Sequence, residues 1–151
     1  MIVLGVDPGK SGGLAFVGRD KEILELVPMV GIPDIVDLIY KHQPAHIFLE
    51  KAQAMPKQGV VSMFTYGQHF GELVGMIVTL KIPFTLVQPR AWSKVIHEGT
   101  DSKLETKARS LQAANRLYPT AELLASPRCK KPHLGLVDAL MIAEYGLRSI
   151  K

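Results

Sequence analysis

Disulfides, thiolate metal clips and membrane spans are all missing from this sequence. A single cysteine, Cys129, in 151 residues has no partner for an intramolecular bridge, and no CxxC pair exists to grip a metal. A reducing, cytoplasmic compartment is the resulting expectation. Flanked by Arg128, Lys130 and Lys131, the thiol reads as exposed and without a redox role. The apolar runs are too short to cross a bilayer, so no membrane association is expected. The first residues enter a strand-like run directly, which argues against a secretory leader. Repeats, low-complexity tracts and long linkers are lacking too. Residues 1–151 therefore read as one domain, large enough to bury a substantial core.

What is present is an ordinary globular composition, 47% hydrophobic and 21% charged, which excludes a disordered chain. Eighteen Lys and Arg against fourteen Asp and Glu give a net charge of +4. That mild basicity suits a polyanionic partner without demonstrating one.

Three β-branched or alternating runs come first: "MIVLGVDP", "GGLAFVG" and "KEILELVPM". Separated by Gly, Asp and Lys, they read as an antiparallel meander. "PDIVDLIYKHQ" follows as a helix, with Pro33 at its start and Ile35, Leu38 and Ile39 at helical spacing. "HIFLE" is a short buried strand ending in Glu50. Residues 60–81 form one long helix, and "FTLVQP" a fifth strand. "KLETKARSLQAANRLYP" and "GLVDALMIAEYGLRSI" are the closing helices. A meander feeding alternating helices and strands predicts an α/β domain with a mixed five-stranded sheet.

Acidic residues occupy unexpected places in this scheme. In "VLGVDPGKSGGLAF", Asp7 ends an apolar strand just before a glycine-rich turn, and Glu50 ends the fourth strand. If those strands run parallel side by side, both carboxylates emerge at one end of the sheet. Asp138 shares a helix face with Met141, Ile142 and Tyr145, the face expected against the sheet. Each acid has a plainer reading alone: "DPG" is a turn signal, Glu50 could be a solvated strand end, and Asp138 could complement its helix dipole. Together, three converging carboxylates call for a cation, and an all-oxygen set suits Mg²⁺ or Mn²⁺.

Four segments carry a resemblance: "VLGVDPGKSGGLAF", "IFLEKAQAMPKQGVVSMFTYGQHFG", "IPFTLVQPRAWSK" and "VDALMIAEYG". In this order they resemble the RuvC-type Holliday-junction resolvases of the RNase H-like superfamily, in particular the compact phage-borne ones. The resemblance implies a homodimeric crossover junction endonuclease that hydrolyses phosphodiesters in four-way or other branched DNA. It also implies two Mg²⁺ ions, with Asp7, Glu50 and Asp138 as catalytic ligands, and products with 5′-phosphate and 3′-hydroxyl ends. A non-catalytic junction-binding protein and an actin-like ATP-binding domain are the rival readings.

Two departures from the resolvase pattern matter. A fourth ligand usually shortly precedes the last acid, whereas here Gly135, Leu136 and Val137 stand before Asp138. His133 is the nearest candidate for a catalytic role, with a surface histidine as the alternative. Where relatives tend to carry an aromatic after the second acid, this chain has Gln53, with Met55 just beyond. Met55 is therefore either an apolar wedge for DNA or a side chain packed beneath its own loop. Lys10, Lys51, Lys57, Arg90 and Lys94 are expected on loops around the acids as phosphate contacts. Lys103, Lys107, Arg128, Lys130 and Lys131 extend that track. Gly67, Gly71 and Gly75 form a stripe on the long helix, read first as close packing on the domain's own sheet and second as a dimer contact. Trp92 reads as a packing anchor.

Overall fold

The computed structural model describes residues 1–150. Strands β1 (Ile2–Asp7), β2 (Gly13–Gly18) and β3 (Ile23–Pro28) form the expected meander. Helix α1 (Ile32–His42) leads to β4 (His46–Glu50), and the long α2 (Val60–Thr79) leads to β5 (Phe84–Val87). Three helices complete the chain: α3 (Pro89–Ile96), α4 (Thr106–Leu117) and α5 (Leu134–Ser149). The sheet order is β3-β2-β1-β4-β5, antiparallel among the first three strands and parallel from β1 through β4 to β5.

Successive strand residues point to opposite faces, which divides the apolar side chains into two cores. Leu4, Val6, Leu14, Phe16, Ile47 and Leu49 pack against Ile35 and Ile39 of α1 and Leu73 and Ile77 of α2. On the other face Val3, Ala15, Val17 and Phe48 pack against α5, with α3 and α4 outside it. Helix α5 lies between the sheet and these outer helices, and ten of its sixteen residues are buried. That burial explains why it is apolar on nearly every side.

Helix α5 comes this close because glycines make room. A Cβ on Gly5 would stand 2.2 Å from the Ala139 carbonyl oxygen, and one on Gly135 would stand 2.2 Å from that of Ser11. The first contact seats the helix on β1, and the second seats its N-terminus on the β1–β2 turn.

Three expectations are corrected. The segment after β5 is helix α3, so Arg90 and Lys94 sit on a helix rather than on loops. Its signal is Pro89 in the first turn with Trp92 and Ile96 buried one turn apart. The glycine stripe of α2 does not pack on the sheet, because a Cβ at Gly67, Gly71 or Gly75 would meet nothing within 4 Å. Along the same helix Val60, Val61, Phe64 and Val78 are exposed. Finally, Met55 is 55% exposed, so it does not pack beneath its loop.

Candidate active site

Strand parity brings the first two acids together. Val3, Gly5 and Asp7 alternate onto the α5 face of β1, and Phe48 and Glu50 onto the same face of β4. The parallel register pairs Gly5 with Phe48 and Val6 with Leu49, so Asp7 and Glu50 end adjacent strands at one level. Asp138 precedes Ala139, whose carbonyl lies against Gly5. The contact that seats α5 thus delivers the third carboxylate to the same sheet end.

Electrostatics confirm the convergence. The Asp7 carboxyl is raised from 3.8 to about 8, first by burial and then by the charges of Asp138 and Glu50. Asp138 is raised to about 7 by burial and by Glu50. Burial also raises Glu50, while the Trp92 indole opposes it by donating from Nε1 to Glu50 Oε2 at 2.5 Å. Lys107 lies near enough to lower both Asp7 and Asp138. Three carboxylates share one low-dielectric corner with a single lysine opposing the two most perturbed.

Among the described residues, no three His, Cys, Asp or Glu side chains are already drawn into a shell around one point. The acids are coupled through their charges, and Glu50 is held by Trp92. The donor set nevertheless fits a hard divalent cation: it is all oxygen, partly buried and in need of positive charge. Asp7, Glu50 and Asp138 are the residues that would hold it.

A cleft of about 1360 Å³ opens beside Asp7 and Asp138, which line it together with Lys10, His69, Lys107 and His133 among others, while Glu50 lies outside its lining. The base of the cleft includes the Asp7–Gly12 turn, where Gly9 takes φ +99°, a conformation that favours glycine. His133 is the N-cap of α5: its Nδ1 accepts from the Leu136 N–H at 3.1 Å, and its own N–H donates to the Leu123 carbonyl at 2.7 Å. It faces the same cleft as Asp7 and Asp138, with Nε2 as the ring nitrogen not used in capping.

Of the basic residues singled out from sequence, Lys10 and Lys107 line this cleft. Lys51, Lys57, Arg90, Lys94, Lys103, Arg128, Lys130 and Lys131 are exposed outside its lining. Lys51 continues directly from Glu50, and its N–H donates to the Val87 carbonyl. Gln53 donates to the side chain of Gln88, which ties the loop after Glu50 to the end of β5.

Sequence reasoning missed two cleft residues and one contact. Tyr66 and His69 stand three apart on α2 and face the Asp7 turn. Tyr66 has its hydroxyl pushed up to about 12 by burial and by Glu50 and Asp7. His69 accepts from the Gly9 N–H. Their shared helical face was the available signal. The contact is that of Trp92, which is both the expected core anchor, 4% exposed, and a donor to Glu50.

No family model and no curated protein matches this chain. Solved structures do. RuvC from T. thermophilus, in complex with Holliday junction substrate, superposes with a TM-score of 0.67 at 19% identity, over 99% of this chain and 94% of that one. The yeast mitochondrial Holliday junction resolvase Ydc2 gives 0.65 at 14% identity, over 97% and 77%. The Fowlpox virus resolvase, in complex with Holliday junction DNA, gives 0.58 at 13% identity, over the whole of both chains. The chain has the RuvC-like RNase H fold, with its mixed sheet in the same architecture.

Proposed function

We propose that this protein is a divalent-metal-dependent endonuclease that resolves four-way or otherwise branched DNA by phosphodiester hydrolysis. The observation that carries the reading is the meeting of Asp7, Glu50 and Asp138 at one sheet end, beside Lys107 and an open cleft. The solved structures of the same fold that hold Holliday junction DNA support branched DNA as the substrate.

Two Mg²⁺ ions, with Mn²⁺ as a substitute, would activate water and stabilise the leaving 3′ oxygen, yielding 5′-phosphate and 3′-hydroxyl ends. The protein's part is to hold three carboxylates in place against their mutual repulsion. Burial makes each carboxyl reluctant to ionise, so all three favour a strong positive charge among them. Trp92 fixes the orientation of Glu50. Lys10 and Lys107 receive the phosphates that the acids would repel. His133, whose Nδ1 is taken by its capping bond, has an Nε2–H left to donate and, lining the same cleft, is the remaining candidate for orienting the water or the scissile phosphate. Lys51, Lys57, Arg90 and Lys94 are proposed as phosphate contacts around the acids, Lys103, Arg128, Lys130 and Lys131 as the extension of that track, and the exposed Met55 as an apolar wedge.

A homodimer is part of the proposal. Val60, Val61, Phe64 and Val78 are exposed on α2 beside a glycine stripe open to close approach, and a second copy would cover them. Cutting a four-way junction symmetrically also requires two active sites. DNA as substrate implies work inside a cell, and no described helix is long and apolar enough to cross a membrane.

The test is an end-labelled four-way junction incubated with the protein, with and without Mg²⁺, beside Asp7→Asn. Paired cuts that need both the metal and Asp7 support the reading. Tight junction binding without cutting in Mg²⁺ or Mn²⁺ overturns it in favour of a junction-binding protein.

A further inference from the structure

We infer that His69 contacts the substrate, donating from Nε2 to a phosphate oxygen of the DNA strand at the acidic cluster; this rests on the nuclease reading above. The inference starts from one hydrogen bond. The Gly9 N–H, two residues beyond Asp7, donates to His69 Nδ1 at 3.0 Å. A backbone N–H can only donate, so Nδ1 carries a lone pair, and the neutral ring has its one proton on Nε2.

That tautomer decides what the ring can do. Its only lone pair is engaged by Gly9, so His69 is not a general base in this arrangement. What it can offer is a neutral N–H. The hydrogen bond to Gly9 is the one that the structure gives the His69 side chain, and no buried side-chain nitrogen or oxygen among the described residues lacks a partner. Nε2 is therefore accessible rather than sealed in the core. The space beside it is the cleft that also contains Asp7, Lys10, Lys107, His133 and Asp138.

The aim of the ring is set from two sides. Tyr66, one turn earlier on α2, lies so close to the Asp7 turn that a Cβ on Gly9 would stand 3.0 Å from its ring. Helix and turn therefore fit together tightly, with His69 bonded across the junction between them. A neutral donor is suited to this position: it binds an anionic oxygen without adding a positive charge that would compete with a cation for the carboxylates. Lys10 and Lys107 supply charge to the same phosphate track, and His69 supplies direction.

Two experiments test the inference. Long-range ¹H–¹⁵N spectra of the wild-type protein should show Nδ1 unprotonated and Nε2 protonated. Adding a four-way DNA junction, with Ca²⁺ in place of Mg²⁺, should then shift the Nε2 resonance. In parallel, His69→Phe should lower kcat/KM for junction cleavage by roughly 10- to 100-fold, the range for losing a hydrogen bond to a charged group. His69→Gln, which can both accept from Gly9 and donate, should recover most of that loss. The rise in Tm caused by Mg²⁺ should be the same in all three proteins. An Nδ1-protonated ring, an Nε2 signal indifferent to DNA, or undiminished cleavage by His69→Phe would overturn the inference. So would a His69→Phe variant that loses its response to Mg²⁺ together with cleavage, since His69 would then only brace the Asp7 turn. If wild-type protein cuts no DNA, the nuclease reading fails, and the Nε2 response still decides whether His69 contacts phosphate.

Discussion

Replacing Asp7 with Asn should make the metal-free protein more stable while, on the nuclease reading, abolishing cleavage. The reason is the cost of holding a charge where Asp7 stands. Its carboxyl is raised from 3.8 to about 8 by burial and by the neighbouring Asp138 and Glu50. Below pH 3.8 the group is protonated in both the folded and unfolded chain, and it costs nothing. As pH rises from there towards 8, the unfolded state releases its proton and the folded state does not, so stability falls steadily; beyond pH 8 the loss levels off. At pH 7 the linkage amounts to about 4 kcal/mol. Asn keeps the shape and cannot ionise, so it should recover roughly 2–4 kcal/mol, which for a domain of this length is roughly 5–15 °C in Tm. The assay is thermal unfolding in EDTA from pH 4 to 8, with wild type and Asp7→Asn converging at the acid end. Adding Mg²⁺ should stabilise wild type far more than the variant, because a ligand stabilises only the state that binds it. An Asn variant equal to or less stable than wild type at pH 7 without metal would refute the electrostatic reasoning.

Other substitutions probe the same architecture. Trp92→Phe keeps an aromatic anchor but removes the donor to Glu50, so cleavage should fall roughly 10-fold or more, about what a hydrogen bond to a charged group is worth, with folding intact by circular dichroism. Gly5→Ala would force a Cβ to within 2.2 Å of the Ala139 carbonyl oxygen. Urea unfolding should show a loss of roughly 3 kcal/mol from overpacking, and an unchanged midpoint would contradict the close seating of α5. Glu25 is held below its usual value by the Lys41 and His42 side chains. Glu25→Gln should therefore be less stable than wild type by roughly 0.5–1 kcal/mol at pH 6, given the exposure of the pair, and the gap should narrow as pH falls below the ordinary carboxyl value of 4.5 and Glu25 takes up its proton.

How far the sequence could be read depended on the range of each interaction. The meander, the parallel strands and the convergence of Asp7, Glu50 and Asp138 were all legible, because alternation along a strand and periodicity along a helix are local patterns. Helix α3 was not, since "FTLVQP" read as one strand through Pro89, and Trp92 and Ile96 give only a single helical repeat. The glycines of α2 were misplaced for a related reason. Helical spacing shows that Gly67, Gly71 and Gly75 share a face, but which face meets the sheet is decided by Leu73 and Ile77. His69 was missed as a site residue because the helical face it shares with Tyr66 does not reveal its partner, Gly9, sixty positions away in the chain. His133 was singled out only by its nearness to Asp138, while its capping bond to Leu136 depended on where the last helix begins.

The attachment of α2 differs sharply from that of α5. Only Leu73 and Ile77 of its twenty residues are buried, yet it forms the cleft wall that carries Tyr66 and His69. The three carboxylates are mounted on β1, β4 and α5, most of whose residues are buried. On the nuclease reading the carboxylates are a fixed tool and the rim of α2 an exchangeable jaw: substitutions in its first three turns, Tyr66 and His69 apart, should change which DNA shape is admitted and leave the carboxylates in register. A search for variants with altered substrate range should begin at Ser62, Thr65 and Gln68, all on that wall.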